Sequence, residues 1–145
     1  MYLEYLINAK YHISVVKRML DNYREFESKR YLIGIINELA KASSNIIKAY
    51  LSIEKRSFQD SSKNIKLFKE IIAPKYLEKE IVNNILKSLE IERAQKESPV
   101  QFSKNDKIIL LIKGRYRFLT IKRLEEFIKS VEIGILKISK VSRQV

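Results

Sequence analysis

The chain has 145 residues, no cysteine, a single histidine and a formal net charge of +12. That length fits one domain, residues 1–145, large enough to bury a core unaided; the missing thiols exclude disulfide frameworks, thiolate metal sites and cysteine nucleophiles, and one histidine excludes a multi-histidine metal centre. No apolar run reaches the roughly 20 residues that cross a bilayer, and no basic segment leads into an apolar block at the start, so a cytoplasmic protein without membrane, metal or cofactor is expected.

Tyr2, Leu6, Ala9, Ile13, Val16, Leu20 and Tyr23 step by four and three. That rhythm holds side chains on one helical stripe that must be buried. Tyr5, His12 and Met19 widen the stripe, so a first helix is predicted to end near Asn22 or Tyr23. The polar run Arg24 to Arg30 is the expected connection, part of which can add helical turns. Leu32, Ile36, Leu39, Ser43, Ile46, Tyr50 and Ile53 repeat the ladder between about Arg30 and Lys55. Ile33, Ala40 and Ile47, with Ile35, Ala42 and Ala49, make this second helix apolar around much of its circumference, as befits a central helix with several neighbours. Gly34 costs about 1 kcal/mol of helix propensity relative to alanine, which points to a neighbouring backbone in close approach.

Asp60, Ser61 or Ser62 can cap a third helix carrying Ile65, Phe68, Ile71 and Ile72, which Pro74 is expected to stop at Ala73. A fourth, from about Lys75 to Lys96, buries Leu77, Ile81, Ile85, Leu86 and Leu89 and ends at Ser98-Pro99. Its outer face mixes Glu78, Lys79, Glu80, Glu90, Glu92 and Arg93, as a solvated surface does. The pattern then changes. Residues 107–112 are a short isoleucine-rich run without helical period, and residues 115–120 alternate polar and apolar through Tyr116 and Phe118. With Lys113-Gly114 between them they read as a small β-hairpin near residues 107–119, the other reading being a helix broken at Gly114. Thr120 can cap a last helix laddered by Leu124, Phe127, Ile128, Val131, Ile135 and Ile138 and continuing to Val141. The fold class predicted is all-α: a single-domain antiparallel bundle of about five helices with that hairpin.

Lysine outnumbers arginine 20 to 9 and isoleucine is common, so A/T-rich codons account for part of the positive charge. They do not account for its distribution. Residues 1–59 carry 10 basic and 6 acidic groups, residues 60–99 carry 8 and 7, and residues 100–145 carry 11 and 4. The excess is concentrated in the last third. There Lys113, Arg115, Tyr116, Arg117, Lys122 and Arg123 combine cations for phosphates with a ring that can stack on an unpaired base, Phe118 being nearby. On an alternating strand Arg115 and Arg117 share one face and Tyr116 and Phe118 the other. The aromatics can then belong to the core, leaving phosphate contact to the arginines. A charged edge that merely deters strand pairing is the plainer reading of the same residues.

No catalytic constellation emerges. His12 reads as a boundary histidine bonded to a neighbour rather than as a general base. Asn37, Glu38, Lys41, Ser44 and Asn45 form a polar stripe on the second helix, read as a satisfied network or a solvent-facing strip, a small-ligand pocket being the alternative. Gly34, Gly114 and Gly134 stand singly, so no phosphate-binding glycine loop exists.

A long antiparallel helix pair at the start, then shorter helices, resembles the HEPN superfamily of small prokaryotic bundles. Tyr5-Leu6-Ile7-Asn8-Ala9-Lys10-Tyr11-His12 is similar to their opening helix, and Arg30-Tyr31-Leu32 through Ala40-Lys41-Ala42 to Tyr50-Leu51 to their second, the likeness covering residues 1–90. The composition is similar to that of archaeal members, the hairpin being then a decoration of that subgroup. Ribonuclease members place a histidine a few residues after an arginine, and here His12 has no arginine before it. The resemblance therefore implies a non-catalytic member, of a kind that dimerises and accompanies nucleotidyltransferases or other nucleic-acid-acting partners.

The expected function is a non-enzymatic interaction module whose basic C-terminal face contacts RNA or another polyanion. The alternatives are a purely structural protein, as a homodimer or with a partner protein, and a HEPN-type nucleotide- or RNA-acting protein lacking the Arg–His motif.

Overall fold

The computed structural model describes residues 2–98 and 101–144. Pro99, expected to end the fourth helix, lies outside them. Among these described residues five α-helices and three strands follow in order: α1 (Tyr2–Phe26), α2 (Lys29–Ile53), α3 (Ser61–Leu67), α4 (Lys79–Glu97), β1 (Gln101–Lys104), β2 (Lys107–Ile112), β3 (Arg115–Thr120) and α5 (Ile121–Gln144). The protein is mostly helical with a small antiparallel sheet, so a strictly all-α description is corrected. The hairpin at residues 107–119 forms as β2 and β3, and β1 adds a strand that the residue pattern did not predict.

Both ladders are buried except at their ends, Tyr2 and Ile53, which are half-buried. Leu6, Ala9, Ile13, Val16, Leu20 and Tyr23 of α1 pack along α2, and Leu32, Ile36, Leu39, Ser43, Ile46 and Tyr50 lie at the centre. The connection shrinks to Glu27 and Ser28, because Arg24, Glu25 and Phe26 continue the helix. α2 touches α1, α3, α4 and α5, and its added rows Ile35, Ala42 and Ala49 are fully buried. Gly34 does meet a close neighbour, but a side chain: a Cβ there would lie 2.8 Å from Met19 Sδ.

Two boundaries differ from expectation. Asp60 is the cap of α3, its Oδ1 accepting from Lys63 N at 2.9 Å, yet the helical path does not stop at Ala73. It widens into a π turn over Phe68–Ile72 and tightens into a 3-10 turn over Ala73–Lys75. Pro74 sits at the start of that turn, where its missing N–H costs nothing. Phe68 and Ile72 face inward while Ile71 is turned out to solvent. The turn also displaces the start of α4 to Lys79.

Buried polar bonds cross-link the bundle. Ser43 Oγ and Ser88 Oγ are 2.7 Å apart, joining α2 to α4; Asn84 Nδ2 donates to Ser130 Oγ at 2.9 Å, joining α4 to α5; and Tyr50 Oη donates to the Gly134 carbonyl at 2.9 Å, joining α2 to α5. The Tyr50 ring also packs on Phe68 and Tyr76, with centroids 5.7 and 5.4 Å away. Burial, and then the Tyr76 charge, hold the Tyr50 hydroxyl neutral far above the ordinary tyrosine range. A Tyr50→Phe variant should lose about 1 kcal/mol, the net worth of one such bond, whereas Tyr50→Ala should lose about 3–5 kcal/mol through the cavity; urea unfolding of both variants measures the difference.

Glu54, just after α2, clamps the 3-10 turn by accepting from Lys75 Nζ at 2.8 Å. That bond, with Tyr76 and Arg56 nearby, holds its carboxyl below the usual value of 4.5. A depressed carboxyl contributes stability above its unfolded pKa and loses it as pH falls through the folded one. Stability should therefore decline on acidification below about 4.5, and Glu54→Gln should flatten that acid limb while lowering stability at neutral pH, as thermal melts across pH 3–7 would read.

Candidate nucleic-acid interface

Two tight turns build the sheet. Asn105 and Asp106 have φ of 51° and 59°, and Lys113 and Gly114 have φ of 50° and 76°. Paired left-handed residues define the two-residue hairpin turn whose twist matches the strands. Gly114 takes that geometry without strain, and Asn105 and Asp106 tolerate it. β1 pairs with β2 from Gln101↔Leu110 to Lys104↔Lys107, and β2 with β3 from Lys107↔Thr120 to Ile112↔Arg115. Thr120 caps α5 as expected, accepting from Arg123 N at 3.1 Å.

The sheet is anchored at several points. Tyr23 Oη donates to Asp106 Oδ1 at 3.0 Å, and the Asp106 carbonyl accepts from Ile121 N at the same distance. Burial and the Asp106 carboxylate push the Tyr23 hydroxyl up to about 12. Ser98 Oγ accepts from Leu111 N at 2.9 Å, and Lys29 Nζ donates to the Gln101 carbonyl at 3.0 Å.

Strand alternation gives this sheet two unlike faces. Ile108, Leu110 and Leu119 point into the helical core. Arg117 and Arg115 share that face, opposite Leu110 and Ile112, but lie at its rim and are exposed. The other face carries Ile109, Leu111, Tyr116 and Phe118. Tyr116 and Phe118 retain 56% and 65% of their accessible surface, so the expectation that these rings could belong to the core is corrected. The reason is register: core-facing Leu119 pairs with Ile108, so its neighbours one and three residues back must look away from the bundle. Lys107 stands with its Nζ 6.0 Å from the Phe118 ring centre.

The remaining expected residues spread around this edge. Lys113 forms the tip of the β2–β3 turn, beside Ala94 and Glu97 of α4. Lys122 is exposed in the first turn of α5, and Arg123 lies half-buried with its guanidinium 4.5 Å from the Phe127 ring and paired with Glu126. Two cations in a first helical turn oppose the helix dipole, a cost that an approaching anion would relieve. Arg117 and Arg123 meet at a cleft of about 440 Å³ between β3, α4 and α5, bordered also by Lys87, Glu90 and Phe118. Tyr116 is separated from that pair by the thickness of the sheet. Sequence reasoning missed Lys104 and Lys107 as parts of this surface; Ile109 and Leu111 share the face but are buried and half-buried. The turn-forming pair Asn105-Asp106, set between an alternating stretch before it and the continuous apolar run after it, was the available signal.

His12 Nδ1 is bonded to Glu38 Oε2, and Glu38 also takes Lys41 Nζ at 3.3 Å. Asn45 Nδ2 donates to the Lys41 carbonyl, while Asn37 Oδ1 is buried without a partner. The stripe on α2 is thus internally bonded in part, and its Lys41 and Ser44 border a groove facing α3 and α4. Among the described residues no group of three or more histidines or carboxylates could hold a metal, and no helix is long and apolar enough to cross a membrane. Compared with protein-family models, curated proteins and solved structures, the chain matches none.

Proposed function

We propose that the protein is a non-catalytic interaction module that binds single-stranded RNA across its small sheet. The observation that carries this reading is the exposed Tyr116 and Phe118 pair on the outer sheet face. Lys104 and Lys107 lie on the same face by alternation, while Arg115 and Arg117 project from the opposite face of the same edge strand and Lys113 from its turn. Rings two residues apart on an open antiparallel sheet offer successive stacking surfaces to unpaired bases, and a cationic border holds the phosphates. The concentration of excess charge in residues 100–145 supports the same reading, as does the resemblance to HEPN bundles that work beside nucleic-acid-acting partners. Fluorescence anisotropy of labelled oligouridine across a salt series tests it. Tyr116→Ala/Phe118→Ala should weaken binding by about 1–3 kcal/mol per stacked base, leaving the salt slope nearly unchanged. Arg115→Glu/Arg117→Glu should instead lower the slope by about 0.7 for each phosphate no longer neutralised. Equal affinity and equal slopes for wild type and both variants would overturn it.

A second reading, self-association, is favoured by a different surface. Leu3, Ile7 and Tyr11 are spaced by four on the outer side of α1 and keep 55%, 57% and 60% of their surface. A stripe of this kind pairs with another helix more readily than with water. Sedimentation should then show a dimer that Ile7→Glu/Tyr11→Glu converts to monomer without lowering its helix content; a wild-type monomer at high concentration would exclude it.

A further inference from the structure

A groove of about 400 Å³ runs between α2, α3 and α4, away from the sheet. Its edges carry Lys41, Lys48, Arg93 and Lys96, against Glu92 as its carboxylate. Two of these cations come from α2 and two from α4, so the positive bank is assembled by the packing of two helices. Glu80, Glu90 and Glu97 of α4 all lie off the groove. The cations there are weakly engaged. Lys96 reaches Glu92 at 3.5 Å, and Lys41 shares Glu38 with His12. Lys48 lies 5.9 Å from the Tyr5 ring centre, a ring that itself packs against Phe58 at 5.4 Å. The floor is aliphatic, made by Ala40, Ile47, Ile65 and Leu89.

We propose that this groove docks an acidic peptide segment of a partner protein, one that carries aliphatic anchors. Charge complementarity selects the sign of the partner. The floor selects its chemistry: no ring lines the groove on which a base could stack, and a bare phosphate would leave the apolar surface wet. A peptide presenting leucine toward Ile47 and Leu89, with carboxylates beside Lys48 and Arg93, satisfies both, in the manner of a helix laid in a hydrophobic groove. The polar stripe on α2 thereby gains a role, since Lys41 and Ser44 form one bank. This site is independent of RNA binding at the sheet.

The test uses a fluorescein-labelled peptide of about a dozen residues, rich in glutamate, with two leucines four apart so that both fall on one helical face. It should bind the wild-type chain and weaken about tenfold or more against Lys48→Glu/Arg93→Glu, an effect of rim charges that salt should reproduce. Ser44→Trp, which obstructs the groove from its bank without changing charge, should also weaken it, and serves if the charge-reversed variant melts early. Replacing both leucines by glutamine should abolish binding, and Arg115→Glu/Arg117→Glu should leave it intact. The proposal falls if the wild type does not bind the peptide. It falls equally if the leucine-free peptide or oligouridine binds the groove as well as the leucine peptide does, with the same loss in Lys48→Glu/Arg93→Glu.

Discussion

Enclosure of α2 is the constraint from which the rest of the architecture follows. Its apolar residues occupy more than one side, and each fully buried leucine or isoleucine contributes about 1.5–3 kcal/mol only if a neighbour covers it. One antiparallel partner, α1, covers one flank; α3, α4 and α5 must supply the others. The polar bonds of Ser43, Tyr50, Asn84 and Ser130 then become affordable, because each buried group finds its partner on an adjacent helix. These bonds specify which helix lies where, a discrimination that aliphatic contacts alone supply poorly.

The sheet is subordinate to that bundle. Strands this short are stabilised by packing against helices. They persist because one face inserts Ile108, Leu110 and Leu119 into a core already formed, while Tyr23 and Ser98 hold the turn and the central strand. With its inner face committed to packing, the sheet can leave rings uncovered on its outer face. Chemistry that would be aggregation-prone on a free hairpin is kept orderly by charged margins.

Features set by repeated spacing or by a single local side chain were legible in the residues, and those set by tertiary packing were not. The ladders of α1, α2 and α5 specify both the helices and their buried stripes, since three or more turns of consistent spacing leave no other solution. Thr120 was recognisable as a cap, and Asp60 as one of three candidates, from side-chain chemistry alone. Pro74 misled because its effect depends on whether its turn is α or 3-10, which the packing of Phe68 and Ile72 decides. Tyr116 and Phe118 misled for a deeper reason. Alternation reveals that they share a face, but which face is buried depends on Leu119, and hence on the pairing of β2 with β3. Lys113, Arg115 and Lys122 are legible as surface cations, whereas the division of the cluster by the thickness of a sheet is purely tertiary.

β3 ends at Thr120 and α5 begins at Ile121, with no intervening residue to act as a joint. Strand and helix therefore behave as one bent lever, pinned near its elbow where Ile121 N meets the Asp106 carbonyl. A torque applied at the far end of the hairpin is delivered to Phe127 and Val131 inside the bundle, instead of being absorbed by slack chain. A force that tilts the strands would be felt in the interior as a rotation of the final helix.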